Sequence, residues 1–281
     1  MSETGTVRRK LSYEELDPAD ARSFATLYNI YAEMFPLPDE REPPGAFFDL
    51  AALNVHTDLQ MALGPWREIV AAIRLWQGGP IVGGHVFGVT TSRDHIAFGC
   101  MSSVQAMYTF LERRARGTGP IADMRRYMED ESLRVFGFPT PSVRPLVFLE
   151  VNNPLRMTPG QVEEDAQKSG MDPFKRYLFW RRNGFRPLDF AYTQPRLRPD
   201  AEPVKYLDLF CSDIPQAPIP VAVLQKHLAA FVSISVLKGS AAADDADFSA
   251  MAAAIASRTH IPYKADDSAE QREIAAAARG R

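Results

Sequence analysis

Apolar positions along the chain alternate between two spacings, and each spacing predicts a type of element. Asp17-Pro18 reads as a helix N-cap and first helical position. Ala21, Phe24, Leu27, Tyr28 and Tyr31 follow at helical spacing as far as Phe35-Pro36. Val7 to Tyr13 alternates loosely and predicts a first strand. Pro38 to Gly45 is charged and proline-rich, a loop, and Ala46 to Leu53 predicts a second helix. Glu68 to Trp76 and Pro80 to Val89 predict a hairpin turning at Gln77-Gly78-Gly79. Arg93-Asp94 marks another turn. Val104 to Leu111 is rich in β-branched and aromatic residues and predicts a strand. Gly119 to Phe136 then has Ile121, Met124, Tyr127 and Met128 on one side of a helix.

The continuous run Leu146-Val147-Phe148-Leu149 predicts a buried central strand, ending in Glu150. Thr158-Pro159 opens a short helix stopping at Gly170, and Asp172-Pro173 opens another running to Asn183-Gly184. Phe185 to Ala191 and Val204 to Cys211 predict the last strands. Beyond Ser212 the texture becomes helical. Val221 to Leu237 is apolar at helical spacing, Phe248 to Ile255 is alanine-rich, and Tyr263 to Arg281 reads as a frayed helical tail. The expected organisation is one α/β domain over residues 1–212 and a helical C-terminal extension over 213–281. The helix at Val221 to Leu237 could complete the core, cover a site or form a homodimer interface.

Composition narrows the picture. The chain has 281 residues, 46% hydrophobic and 24% charged, enough for a sizeable core. A net charge of −3 argues against a nucleic-acid partner. No stretch approaches a membrane span, the first ten residues lack a signal core, and Cys100 and Cys211 read as buried free thiols. These point to a cytoplasmic protein. No histidine or cysteine spacing suggests a metal, and Asp244-Asp245 with Asp247, which could suggest a cation site, reads as the acidic start of a helix.

Arg114-Ala115-Arg116-Gly117-Thr118-Gly119 lies between a predicted strand and a predicted helix. Two glycines allow a tight turn and close backbone approach. The first helical turn offers unpaired N–H groups to an anion. A plain glycine turn with solvated arginines is the alternative for such a string alone.

With these residues in place the chain resembles the GNAT superfamily of acyl-CoA-dependent N-acyltransferases. Arg114 to Gly119 is similar to that family's [Q/R]-x-x-G-x-[G/A] turn. Phe148-Leu149-Glu150-Val151 is similar to the L-E-V of its fifth strand. Leu178 to Phe185, ending Asn183-Gly184-Phe185, is similar to its L-Y-x-x-x-G-F. The early Phe35-Pro36 and Glu40 to Pro43 also look like the loop between its first two helices. The order of elements agrees from about residue 7 to residue 211. The resemblance implies an α/β (α+β) fold with a mixed, largely antiparallel central sheet flanked by helices. It implies acetyl-CoA or another acyl-CoA as co-substrate, its pyrophosphate on the turn amides, and a small-molecule amine as acceptor. The backbone of Tyr108, Thr109, Phe110 and Leu111 would contact the pantetheine and the developing oxyanion.

Acyl transfer needs a neutral amine, a stabilised oxyanion and a tolerated thiolate. Glu150 is the candidate base; a carboxylate paired with arginine or an amide is the alternative. Many relatives place a tyrosine four residues before the glycine of G-F, where this chain has Trp180. An indole donates a hydrogen bond but is no acid. Tyr177, one turn earlier, could replace the hydroxyl or could be a core tyrosine with a satisfied OH. Asn152 to Met171 is an insertion that could shape an acceptor pocket or simply decorate the surface. His85, after Gly83-Gly84, reads as a packed or hydrogen-bonded strand residue. A non-catalytic acyl-CoA-binding module on the same fold is the competing reading.

Overall fold

The computed structural model describes residues 11–35, 41–54, 65–115, 120–137, 144–197, 200–212 and 217–280. Seven strands form one sheet in the order β1-β2-β3-β4-β5-β7-β6. They are β1 (Ser12–Glu15), β2 (Trp66–Arg74), β3 (Ile81–Thr90), β4 (Ser103–Leu111), β5 (Leu146–Asn152), β6 (Phe185–Pro187) and β7 (Leu207–Ser212). Five of the six neighbouring pairs are antiparallel; β4 and β5 are parallel. This mixed, mostly antiparallel sheet flanked by helices is the architecture the resemblance implies.

Strand pleating divides the side chains between two faces. On the first face Val70, Ala72, Val86, Tyr108 and Phe110 pack under α1 (Ala21–Met34) and α2 (Ala46–Leu53). Phe148 and Leu209 of the same face pack under α3 (Arg93–Phe98) and a later helix from the C-terminal extension. On the second face Ile69, Phe87, Val147, Leu149 and Phe210 pack against α4 (Pro120–Phe136), α5 (Pro159–Ser169) and α6 (Pro173–Arg182).

Local chemistry accounts for most boundaries. Helix α1 starts one turn later than Asp17-Pro18 suggests, because Asp20 accepts the N–H of Ser23 while Asp17 accepts that of Ala19. Arg93-Asp94 opens a helical turn, capped by Ser92, where a simple turn is expected. Thr158 and Gln161 form a reciprocal capping box for α5, and Gly170 closes it at φ +70°. Gly88 in β3 exists for packing: a Cβ there would lie 1.8 Å from the buried Trp66 ring.

The C-terminal extension shares the core of the sheet. Helix α7 (Val221–Phe231) buries Val223, Leu224, His227, Leu228 and Phe231 on the first face. It runs into a π-helical turn, Val232–Val236. Helix α8 (Ala246–Ala256) packs beside it, and β8 (Ile219–Pro220) pairs with β9 (His260–Ile261). The last segment is not frayed. Helix α9 (Ala269–Arg279), capped by Ser268, crosses to the second face and buries Gln271 and Ile274 there. The apolar surface of α7 is thus spent on the core. No helix among the described residues is long and apolar enough to cross a membrane.

Candidate functional site

The candidate site begins where the parallel pair parts. Strands β4 and β5 are in register from Ser103↔Leu146 to Ala106↔Leu149. A bulge then inserts Met107, since Phe87 faces Ala106 and Val86 faces Tyr108. Beyond it, Tyr108 to Leu111 run on along β3, and Glu150 to Asn152 run on along β7. Glu150 is therefore the first β5 residue past the point of separation.

On the first face, Glu150 Oε1 accepts a 2.6 Å hydrogen bond from the hydroxyl of Tyr192. Tyr192 is buried, and burial beside this carboxylate pushes its own hydroxyl well above the usual tyrosine range. Tyr108 lies on the same face, its acidity suppressed by burial and then by Tyr31, Glu42 and Glu150 nearby. The Tyr31 hydroxyl accepts from the Glu42 amide at 2.9 Å, and Lys238 Nζ donates to Glu42 Oε1 at 2.8 Å. Lys238, at φ +49°, follows the π turn, so the C-terminal extension reaches this cluster. The first face of the opening is aromatic and acidic. Farther along it, Glu68 is buried, and desolvation pushes its carboxyl up to about 7 against hydrogen bonds from Trp66 and Ser235.

The second face of the same opening holds a narrow cavity of about 20 Å³, lined by His85, Ala106, Thr109, Arg125, Leu149 and Trp180 among others. Trp180 thus walls the gap between β4 and β5. The His85 ring is fully buried, with Nδ1 2.8 Å from Thr109 Oγ1 and no hydrogen-bond partner on Nε2. Burial pushes its pKa down to about 4, so the ring is neutral near pH 7.

Tyr177 is not brought to this opening. It sits on the second face, where its hydroxyl donates to Asp208 Oδ2 at 2.8 Å and accepts from Gln271 Nε2 at 2.9 Å. Val151 faces Asp208 across the strands, one residue on from Glu150, so Glu150 and Asp208 project from opposite faces. Burial and the Asp208 charge drive the Tyr177 hydroxyl far above its usual range. The Tyr177 hydroxyl is thus engaged by Asp208 and Gln271, the arrangement of a core tyrosine with a satisfied OH. Asp208 is a hub: Lys264 reaches it at 2.9 Å, Asn153 at 2.9 Å and Arg156 at 3.1 Å. Those partners come from the insertion and the extension. The insertion also ties back through Asp165, which takes a 3.0 Å hydrogen bond from Arg176.

Of the expected phosphate turn, Arg114 and Ala115 are described; Arg116, Gly117, Thr118 and Gly119 lie outside the described residues, as do Pro36 to Glu40 of the early loop. Arg113–Ala115 is a 3-10 turn, with Arg114 exposed beside Glu112 and Ala115 buried near Leu111 and Met124. Arg113 lies against the C-cap of α5, where a Cβ on Gly170 would meet its guanidinium at 3.0 Å. Thr109 faces the cavity, while Phe110 packs into the core under α1.

Sequence reasoning did not find Tyr192, which lies in an irregular connection with no motif around it. It also missed a buried polar chain on the first face. His95 Nε2 meets Ser103 Oγ at 2.8 Å, Ser103 Oγ meets His227 Nδ1 at 2.8 Å, and His227 Nε2 meets Gln105 Oε1 at 3.0 Å. Cys100 and Cys211 are buried free thiols. Among the described residues no group of three or more His, Cys, Asp or Glu could hold a metal ion.

No family model matches the sequence, and no curated protein matches it. Similar solved structures include one described as a GNAT-family acetyltransferase from Bacteroides thetaiotaomicron, at 11% identity and TM-score 0.46, covering 81% of this chain and 98% of that one. A spermidine/spermine N-acetyltransferase from Vibrio cholerae matches at 12% identity and TM-score 0.37, over 72% of this chain and 91% of that one. An aminoglycoside 6'-N-acetyltransferase complexed with coenzyme A matches at 13% identity and TM-score 0.37, over 73% and 99%. At these values the likeness is general, and the site is read from its own residues.

Proposed function

We propose that this protein is an acyl-CoA-dependent N-acyltransferase that transfers an acyl group, acetyl in the first instance, to a small-molecule amine. The observation that carries the reading is the parting of β4 and β5 at Ala106/Leu149, with a bulge on one strand and Glu150 at the first position of the other. A pantetheine arm has the form of an extended chain with amide groups. The backbone of Tyr108 to Leu111 offers it an edge, in the manner of an added strand. Arg114 and the glycine-bearing residues that follow it would meet the phosphates ahead of helix α4. The orphaned Nε2 of His85 in the adjoining cavity fits a polar ligand atom there.

Bound acyl-CoA supplies an activated thioester. Glu150 takes a proton from the amine, directly or through one water, so that the nitrogen lone pair is free. Tyr192 holds one Glu150 oxygen and fixes the direction of the carboxylate. Backbone N–H groups of β4 stabilise the charge that develops on the thioester oxygen. The new C–N bond forms as the C–S bond breaks, the acylated nitrogen releases its remaining extra proton to solvent, and the sulfur leaves as thiolate. The acidic, aromatic first face suits a cationic amine as acceptor.

The test is release of free thiol from acetyl-CoA with a panel of amines, beside calorimetry with CoA. Glu150→Gln is expected to bind CoA within about threefold of wild type and to lose ~10²-fold or more in turnover. Unchanged turnover would remove Glu150 from the mechanism. A second reading, a non-catalytic acyl-CoA-binding protein, is favoured by Trp180 in the cavity wall and by Tyr177 being committed to Asp208. Tight CoA binding with no turnover on any amine would select it.

A further inference from the structure

The strongest unused group in the molecule is His85. It is fully buried, it lines the cavity at the strand opening, and one ring nitrogen has no partner there. A buried polar atom without a partner costs free energy unless something fills its site. The cavity has room for about one water-sized group. Ala106 and Leu149, the last residues in register before β4 and β5 part, form two of its walls.

Resting on the acyl-CoA reading above, we infer that His85 donates Nε2–H to the sulfur of the bound thioester and of the thiolate that leaves it. In this assignment Nδ1, 2.8 Å from the Thr109 hydroxyl, accepts from it, and the proton of the neutral ring sits on Nε2. Burial keeps the imidazole neutral, so it acts as a hydrogen-bond donor rather than as an acid. The bookkeeping balances without a proton from His85. The C–S bond breaks, and sulfur keeps the electron pair. The ammonium gives one proton to Glu150 and on to solvent, the nitrogen loses a second to solvent once the C–N bond has formed, and the thiolate takes one back from water after it leaves the cavity. Thr109 is a positioning residue, fixing the tautomer. Arg125 also lines the cavity, but it leans over Phe185 at 5.6 Å and toward Glu129 at 3.6 Å.

The probe is CoA itself, with desulfo-CoA as its control. In the wild-type protein, CoA should move the ¹⁵N resonance of His85 Nε2, and desulfo-CoA should bind without moving it. The thiol of bound CoA, titrated by thiolate absorbance, should ionise about one pH unit later in H85F than in wild type. That is a roughly tenfold smaller thiolate fraction at a given pH. T109V should give a smaller change in the same direction. An unmoved His85 resonance with CoA bound, an equal shift with desulfo-CoA, or an unchanged thiol titration in folded H85F would each overturn the assignment. The resonance measurement stands whether or not H85F folds. Failure of CoA to bind wild type would overturn the acyl-CoA reading and this inference together; binding without the sulfur-specific shift overturns this inference alone.

Discussion

The hydrogen-bonded chain Ser92–His95–Ser103–His227–Gln105 pins helix α7 to the strand that carries the site, and it should fail in acid. Each contact in it is 2.8–3.0 Å. Ser103 can donate only one proton, so with both rings neutral the donors run consistently toward Gln105. Protonating either ring adds a donor where an acceptor is needed. Burial accordingly pushes His95 down to about 4 and His227 well below its usual value. In the unfolded chain both titrate near 6.5. The folded state therefore binds fewer protons than the unfolded state as pH falls from about 6.5 toward 4. The stabilisation present above that window is lost on the way down. At pH 5 the loss from His95 is about 2 kcal/mol relative to pH 7.5, and His227 adds a loss of the same sign. His227→Gln keeps an acceptor and a donor on one side chain but removes the titration. Urea unfolding of wild type and variant between pH 7.5 and 5 gives both slopes. The variant should lose less stability than wild type over that interval. Equal acid losses would show that His227 is not held neutral, and the chain would then not pin helix α7 through a neutral ring.

Tyr177→Phe should cost roughly 1–2 kcal/mol of stability by removing one donor from buried Asp208. Its turnover should stay within about twofold of wild type; a loss of ~10²-fold would restore Tyr177 as a catalytic candidate. Lys264→Met should destabilise by about 3 kcal/mol in denaturant unfolding, since it strips the ammonium from Asp208 and Glu270 while Arg156 remains. A cost under about 1 kcal/mol would mean the hub does not hold the C-terminal extension. Gly88→Ala drives a Cβ into the Trp66 ring at 1.8 Å and should lower stability by ~3 kcal/mol, read as a drop in Tm.

Much of the local structure was legible because its causes are local. The run Leu146 to Leu149 is a central strand because every one of its side chains is buried. The α5 and α6 boundaries follow from Thr158, Gly170 and Asp172, each of which acts within its own turn. Where each candidate residue of the C-terminal half lands was not legible. Tyr177 and Trp180 are three apart on one helix, so sequence makes them near-equivalent neighbours. Only the packing of α6 on the sheet sends Trp180 to the cavity and Tyr177 to Asp208. The tail from Tyr263 reads as frayed because its apolar face is made almost wholly of alanines, with Ile274 the one large apolar residue of the helix. Ile274 and Gln271 find their partners on elements far away in the chain.

The sequence alone determined the order of most elements, the caps of several helices, and the position of Glu150 directly after an apolar strand run. Periodicity and capping are short-range physics, and the chain writes them out in order. The tertiary structure decided which strands part, which face each side chain takes, and which polar groups meet. Strand register joins Ala106 to Leu149, and long-range packing joins Tyr192 to Glu150 and His95 to His227. Those pairings depend on contacts between residues 42 to more than 100 positions apart, and no local pattern encodes them.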